Sequence, residues 1–255
     1  MTASVDTAEL ESKVKDMYRH VATEPNADYH FELGRPLAER LGYPADVIDR
    51  IPAGAIESFA GVGYFFDLAE LRPGNEVLDL GSGSGMDAFF AAIQVGPGGH
   101  VVGVDFTAEQ LEKARLLASR EGFDNLEFRE GRIEDPPADD ASFDCVISNG
   151  VINLSPEKER VFAEASRVLR PGGRLAIADI VSEQQLKDSI VCDADLWASC
   201  IGGAAQEDAY RTAIGSGGFV VDEIRINSYA FISERARNAS EKYGVKSVSV
   251  LAHKS

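Results

Sequence analysis

A chain of 255 residues, 44% of them hydrophobic, can bury one sizeable core, as one large domain or two small ones. Its 42 acidic against 25 basic side chains give a formal charge of −17, which repels nucleic acid and anionic membranes and argues against both as partners. No apolar run reaches the ~18 residues of a membrane span, the first residues (Glu9, Glu11, Lys13, Lys15, Asp16) do not resemble a signal peptide, and the three cysteines lack C-x-x-C zinc spacing. The expected setting is the cytoplasm, and no metal is expected.

Residues 1–70 carry helical periodicity at Val14, Met17, Tyr18 and Val21, then at Leu37 and Leu41, then at Val47 and Ile48, broken by Pro25, Pro44 and Pro52. This segment is expected to form a helical cap over a domain spanning 71–255. From Glu76 the pattern alternates: strand 76–80, helix 84–95, strand 100–105, helix 108–121, strands 125–130 and 143–149, helix 156–169 and strand 173–180. Near 205–216 a further helix is expected, and the runs 219–229 and 245–252 suit an antiparallel end hairpin. In RVLRPGGRL, Pro171, Gly172 and Gly173 are expected to stop a helix and turn the chain into the next strand. The prediction is a Rossmann-like α/β fold with a mostly parallel seven-stranded sheet.

The first strand runs into VLDLGSGSG (77–85), and the second, VVGVD, ends in Asp105, 24 residues beyond Gly81. Glycine removes the Cβ that would keep a ligand off the backbone, and a helix opening at Ser84 would aim free N–H groups into the crevice. An acid at that distance suits the hydroxyls of an adenosine ribose. Dinucleotide sites favour G-x-G-x-x-G/A, whereas Met86 and Asp87 follow Gly85 here. A Walker site needs Gly-Lys-Ser/Thr, and no lysine stands between Lys15 and Lys113. An adenosine ligand without phosphates remains, and S-adenosylmethionine fits that description.

With VLDLGSGSG, GVD, GRIED (131–135), FDCVISNGVINLSPEKERVFAEASRVLRPGGRLAIADI (143–180) and CIGGA (200–204), the chain resembles the class I S-adenosylmethionine-dependent methyltransferases over most of its length. These segments are most similar to the arsenite methyltransferase family. Ligands of open sheets sit beyond the carboxyl ends of the strands, which here deliver Gly81, Ser82 and Gly83, then Asp105 with Phe106, then Ile133 and Glu134, then Asn149 and Gly150, and finally Asp179. The resemblance implies that Ile133 packs on the adenine beside Glu134 and that Asn149 lies near the methionine part; Tyr18 and Gln110 complete the expected cofactor set. Asp79 reads either as a ligand contact or as a buried acceptor for the loop. Asn149 reads either as a site residue or as a turn cap.

The stretch AIESFAGVGYFF (55–66) has the glycines and aromatics of a lid, and Tyr18, Phe59, Tyr64 and Trp197 are candidates to line the space beneath it or to join the cap to the core. Methyl transfer to a small-molecule acceptor needs chiefly an in-line nucleophile and, for some acceptors, a base. His30 is the first candidate base and Asp179 the second. The resembled family holds arsenite with cysteines in the cap, after the fourth strand and before GGA. This chain has Val62, Gly150 and Cys200 at those places. Three functions follow from this: methylation of a small organic acceptor, methylation of arsenite by Cys200 with an external thiol, and noncatalytic S-adenosylmethionine binding in regulation.

Overall fold

The computed structural model describes residues 6–193, 196–197 and 201–255. Runs of valine, leucine and isoleucine make β1 (Glu76–Leu80), β2 (His100–Asp105) and β4 (Phe143–Asn149), which are buried almost throughout, as strands covered on both faces require. With β3 (Leu126–Glu130), β5 (Leu169–Ser182), β7 (Phe219–Ile226) and β8 (Lys246–Lys254) they form a sheet in the order β3-β2-β1-β4-β5-β8-β7. The first five of that order are parallel, and β8 runs antiparallel to both β5 and β7. Leu78 lies beside Val102 on one side and Val146 on the other, so the carboxyl ends of β1, β2 and β4 open onto one edge.

Four boundaries depart from the sequence expectation. The sheet gains an eighth strand, β6 (Ala205–Gln206), paired to β5, so the helix expected from 205 begins at Glu207. The last two strands do not form a simple hairpin, because the helix Glu234–Tyr243 lies between them. Helix α8 (Lys158–Val168) ends before the Pro-Gly-Gly run, which instead bulges β5: the register jumps from Phe143 opposite Leu169 to Cys145 opposite Arg174, with Gly172 at φ 72°. Helix α6 (Met86–Val95) opens after Gly85, not at Ser84.

The N-terminal segment packs in two parts. Helix α1 (Thr7–Thr23) is capped by Asp6, whose carboxylate accepts from Ala8 N and Glu9 N. Its buried face, Leu10 and Val14, meets Leu154 and Trp197 in a small separate cluster. The short helices α2 (Gly34–Leu41), α3 (Ala45–Ile48), α4 (Ala53–Glu57) and α5 (Phe66–Ala69) belong instead to the main core, where Leu37, Ile48, Phe65 and Phe66 join Phe89 and Phe90 of α6. Phe66 stacks on Phe90 at 4.1 Å, and burial of each such ring contributes about 1.5–3 kcal/mol.

Gly85 carries the turn from loop to α6 at φ 96°, and a Cβ there would stand 2.7 Å from Phe128 and 3.0 Å from Phe89. Gly85→Ala combines left-handed strain with overpacking, each costing roughly 1–3 kcal/mol. A clear fall in the midpoint of thermal unfolding is expected; an unchanged midpoint would mean that the loop adopts another course.

Candidate ligand site at the carboxyl edge of the sheet

The loop after β1 folds back on the end of β2. Gly81 N and Ser82 N both donate to Val104 O, at 2.8 and 3.0 Å, and Gly85 N donates to Ser82 O at 2.9 Å. Gly81 sits at φ 77°, where a Cβ would meet the Val151 methyls at 2.5 Å. Asp105 is clamped from two sides, its Oδ2 accepting from Gly83 N at 2.9 Å and its Oδ1 from Thr107 N at 2.8 Å. Burial pushes its pKa up against those donors. Each oxygen has a further lone pair, so the clamped carboxylate can still accept two more hydrogen bonds.

Two cavities adjoin at this edge and share Val14, Gly81, Asp105, Phe106, Val151 and Leu154 as their common wall. The first is lined by Tyr18, Phe59, Gly61, Asp79, Ser82, Gly83, Asp87, Gln110 and Asn149 among others. The second is lined by Leu10, Glu11, Arg132, Ile133, Glu134 and Ser155. Together they form a trench with Asp105 at its middle and α1 as its roof. Leu10, Val14 and Tyr18 recur at helical spacing along the roof's lower face. Polar ties fasten its flanks: Glu11 to Arg132 at 2.7 Å, Arg19 to Glu109 at 2.9 Å, Gln110 Nε2 to Tyr18 O at 2.8 Å and Lys113 Nζ to Ala22 O at 3.1 Å.

The floor of the first cavity is acidic. Asp79, Asp87 and Asp105 are only 2%, 6% and 8% exposed. Buried charge without a counter-charge is costly. Burial, and then the charges of Asp87 and Asp105, push the Asp79 pKa well up, and its Oδ2 has no hydrogen-bond partner among the described residues. Burial raises Asp87 to about 6 although the Tyr43 hydroxyl (2.6 Å) and Asn149 Nδ2 (2.9 Å) both donate to it. Neither lysine nor arginine is among the chief influences on any of the three. A cationic ligand is the complement this floor lacks.

Asn149 carries more of the architecture than its place at a strand end suggested. Its Oδ1 accepts from Val62 N at 2.7 Å and Gly63 N at 3.3 Å, while its Nδ2 donates to Gly63 O, Asp87 and Tyr43 OH. Ser247 and Ser249 hydroxyls hold Val62 O and Tyr64 O. The stretch expected as a lid is therefore bolted to the sheet over 62–64, and α1 is the outer cover.

Several expected site residues lie elsewhere. His30 lines neither cavity: its ring stands edge-on to Phe31 at 4.7 Å. Asp179 is wholly buried off the trench, accepting from Tyr210 OH at 2.6 Å, Ile180 N at 2.9 Å and Asn153 N at 3.3 Å. Burial raises it to about 6. Gly150 is buried against Val62 and the Ala60 carbonyl, lining neither cavity. Tyr64 packs with Tyr43, Phe66 and Phe90, and Trp197 with the α1 cluster, so of the four candidate lining aromatics Tyr18 and Phe59 face the trench. Gln110 does line the first cavity, and there its amide accepts from Ser84 Oγ and donates to Tyr18 O, fastening the roof. Cys200 lies outside the described residues. Cys145 is buried, its thiol pushed up to about 12, and Cys192 is exposed.

The residues missed are Asp87, Arg132, Glu11, Ser155 and the apolar face of α1. An acid in the first turn of the mostly apolar MDAFFAAIQV was a legible signal for Asp87; nothing local distinguishes Glu11 or Arg132 from other surface charges. Among the described residues no group of three or more His, Cys, Asp or Glu is placed to hold a metal ion, and no helix is long and apolar enough to cross a membrane.

Residues 71–218 match a family model described as a methyltransferase domain. Arsenite methyltransferase of Halobacterium salinarum is 39% identical over 251 residues, 92% of this chain. The chain spans less than two thirds of the length of the curated relatives it matches, 64% in the halobacterial case. The crystal structure of an arsenic(III) S-adenosylmethionine methyltransferase from Chlamydomonas reinhardtii is 30% identical and superposes with a TM-score of 0.64, covering 87% of this chain and 74% of that one. A geranyl diphosphate methyltransferase, solved in complex with GPP and sinefungin, shares the fold at 20% identity, with a TM-score of 0.65 over 97% of this chain and 99% of its own.

Proposed function

The chain belongs to the S-adenosylmethionine-dependent methyltransferase family, and from that premise we propose that its trench binds S-adenosylmethionine and presents it to a small-molecule acceptor. The observation that carries this reading is the acidic floor, where Asp79 and Asp87 face a cavity that no lysine, arginine or histidine lines among the described residues. When bound, S-adenosylmethionine supplies an electrophilic methyl group on a sulfonium.

The protein's part is to bind, orient and exclude water. Asp105 would accept the two ribose hydroxyls with its remaining lone pairs. Ile133 and Glu134 would take the adenine, Glu134 being held by the Ser155 hydroxyl at 2.5 Å. The free Oδ2 of Asp79 suits the ammonium of the methionine part, with Asp87 adding negative potential and Asn149 fixing both Asp87 and the 62–64 stretch. Gly81, Ser82 and Gly83 let the ligand approach the backbone, and Phe106, Val14 and Tyr18 enclose it.

The acceptor reading favours a small organic nucleophile. Where the resembled family carries two cysteines, this chain has Val62 and Gly150, and the two positions adjoin: a Cβ on Gly150 would lie 3.1 Å from a Val62 methyl. Neither His30 nor Asp179 reaches the trench, which fits an acceptor that brings its own lone pair. The 39% identity to an arsenite methyltransferase keeps a second reading alive, arsenite held by Cys200 and an external thiol. Formation of S-adenosylhomocysteine separates either enzyme from a noncatalytic binder.

Titration calorimetry between pH 5 and 8 tests the cofactor assignment. A cation binds the ionised floor more tightly, so affinity should rise as pH increases through about 6, the Asp87 value, and fall below it by up to about tenfold per pH unit. Affinity independent of pH over this range would remove Asp87 from the site.

A further inference from the structure

Lys158, the first residue of α8, folds back toward the trench instead of into solvent. Its Nζ donates to Ser155 O at 2.7 Å and Asn153 O at 3.1 Å, and it stands 4.8 Å from the centre of the Trp197 ring. Each contact leads to a different part of the site. The Ser155 hydroxyl holds Glu134 in the wall of the second cavity. Trp197, 5% exposed and donating from Nε1 to Val191 O at 2.6 Å, packs with Leu10, Val14 and Leu154, of which Val14 and Leu154 line both cavities. Gly203 passes so close over Asn153 O that a Cβ would stand 1.8 Å from it, so the chain after β5 rests on the same turn.

We propose that Lys158 is a positioning residue for cofactor binding: its ammonium, seated between the Asn153 and Ser155 carbonyls and the Trp197 ring, couples the trench wall to the segment that carries Trp197 and Gly203. This rests on the cofactor assignment above. Removing the cation leaves two carbonyls and an indole face without their shared partner, and the 3-10 turn Ile152–Leu154 between them loses its clamp. The charged groups facing Lys158 are Asp179 of β5, whose oxygens are already shared with Tyr210, Ile180 and Asn153, and Glu134, which has Arg132 at 3.7 Å on its far side. Burial lowers Lys158 to about 8, partly offset by those two acids, so the clamp weakens in mildly alkaline solution.

Trp197 is the sole tryptophan of the chain, so tryptophan emission reports the surroundings of this one ring, the Lys158 contact among them. S-adenosylmethionine would be titrated into the native chain, Lys158→Met and Lys158→Arg, reading calorimetric affinity and Trp197 emission together. The native chain should show an emission change on binding and an emission transition near pH 8 without ligand. Lys158→Met should bind about tenfold more weakly, lose the pH transition and lose most of the emission response; Lys158→Arg should restore affinity and response and show no transition near pH 8. A folded Lys158→Met with native affinity and response would overturn the proposal, as would Lys158→Arg behaving like Lys158→Met. Should the methionine variant fail to fold, native emission that stays flat from pH 7 to 9 would overturn it. A native chain that gives no calorimetric binding would instead sink the cofactor assignment, and the proposal with it.

Discussion

Alanine at position 105 should weaken S-adenosylmethionine binding by about 100-fold and leave the protein folded. Two hydrogen bonds to an ionised acceptor contribute roughly 1.5–3 kcal/mol each, and 2.7 kcal/mol is already a factor of 100. The carboxylate is held by Gly83 N and Thr107 N before any ligand arrives, so little ordering is needed at the moment of binding. Stability should move much less than affinity. Burial disfavours the Asp105 charge, and its removal offsets part of the loss of the two backbone contacts. Asp105→Asn is the sharper comparison, because its amide must turn N–H groups toward Gly83 N or Thr107 N, where only donors stand. Titration of both variants should place asparagine near alanine; dissociation constants within threefold of native would show that the ribose lies elsewhere.

Asp105 was legible because several local signals agree on it: an apolar strand, a terminal acid and a glycine turn at fixed separation. The parallel core was legible for the same kind of reason, since β1, β2 and β4 are buried on both faces and read as mostly apolar runs, with Asp79 and Asp144 the charged residues inside them. What failed to show was set by chain segments far apart in sequence. β6 is two residues long and exists only because β5 lies beside it. Asn149 at a strand end is compatible with a ligand or with the protein, and the approach of Val62 and Gly63 puts its amide to structural use. His30 is a titratable residue in a cap segment, and only the folded chain shows that its ring packs edge-on to Phe31 and outside both cavities. The α1 periodicity predicted a helix without saying what its apolar face would cover, and the answer depends on Leu154 and Trp197 arriving from beyond β4 and β5.

Cysteines at both Val62 and Gly150 should raise arsenite-dependent formation of S-adenosylhomocysteine at least tenfold over the native chain, assayed with excess thiol. Trivalent arsenic is soft and prefers thiolate ligands. The two positions face each other, with the Cβ site of 150 against a Val62 methyl at 3.1 Å, directly behind Ala60 and Asn149 in the wall of the first cavity, so two thiols would stand together at that wall. The single changes should not add. Gly150→Cys alone places a side chain at φ 72° and presses it on Val62, costing roughly 1–3 kcal/mol, whereas Val62→Cys removes one of the crowding methyls and should recover part of that stability. A double variant that binds arsenite without turning it over would place the thiols correctly and the methyl group out of line. Arsenite-dependent turnover by the native chain that equals that of the double variant would carry the opposite lesson: Cys200 with an external thiol suffices, and the loss of the other two cysteines would not mark a change of acceptor. No turnover by either protein would overturn the prediction.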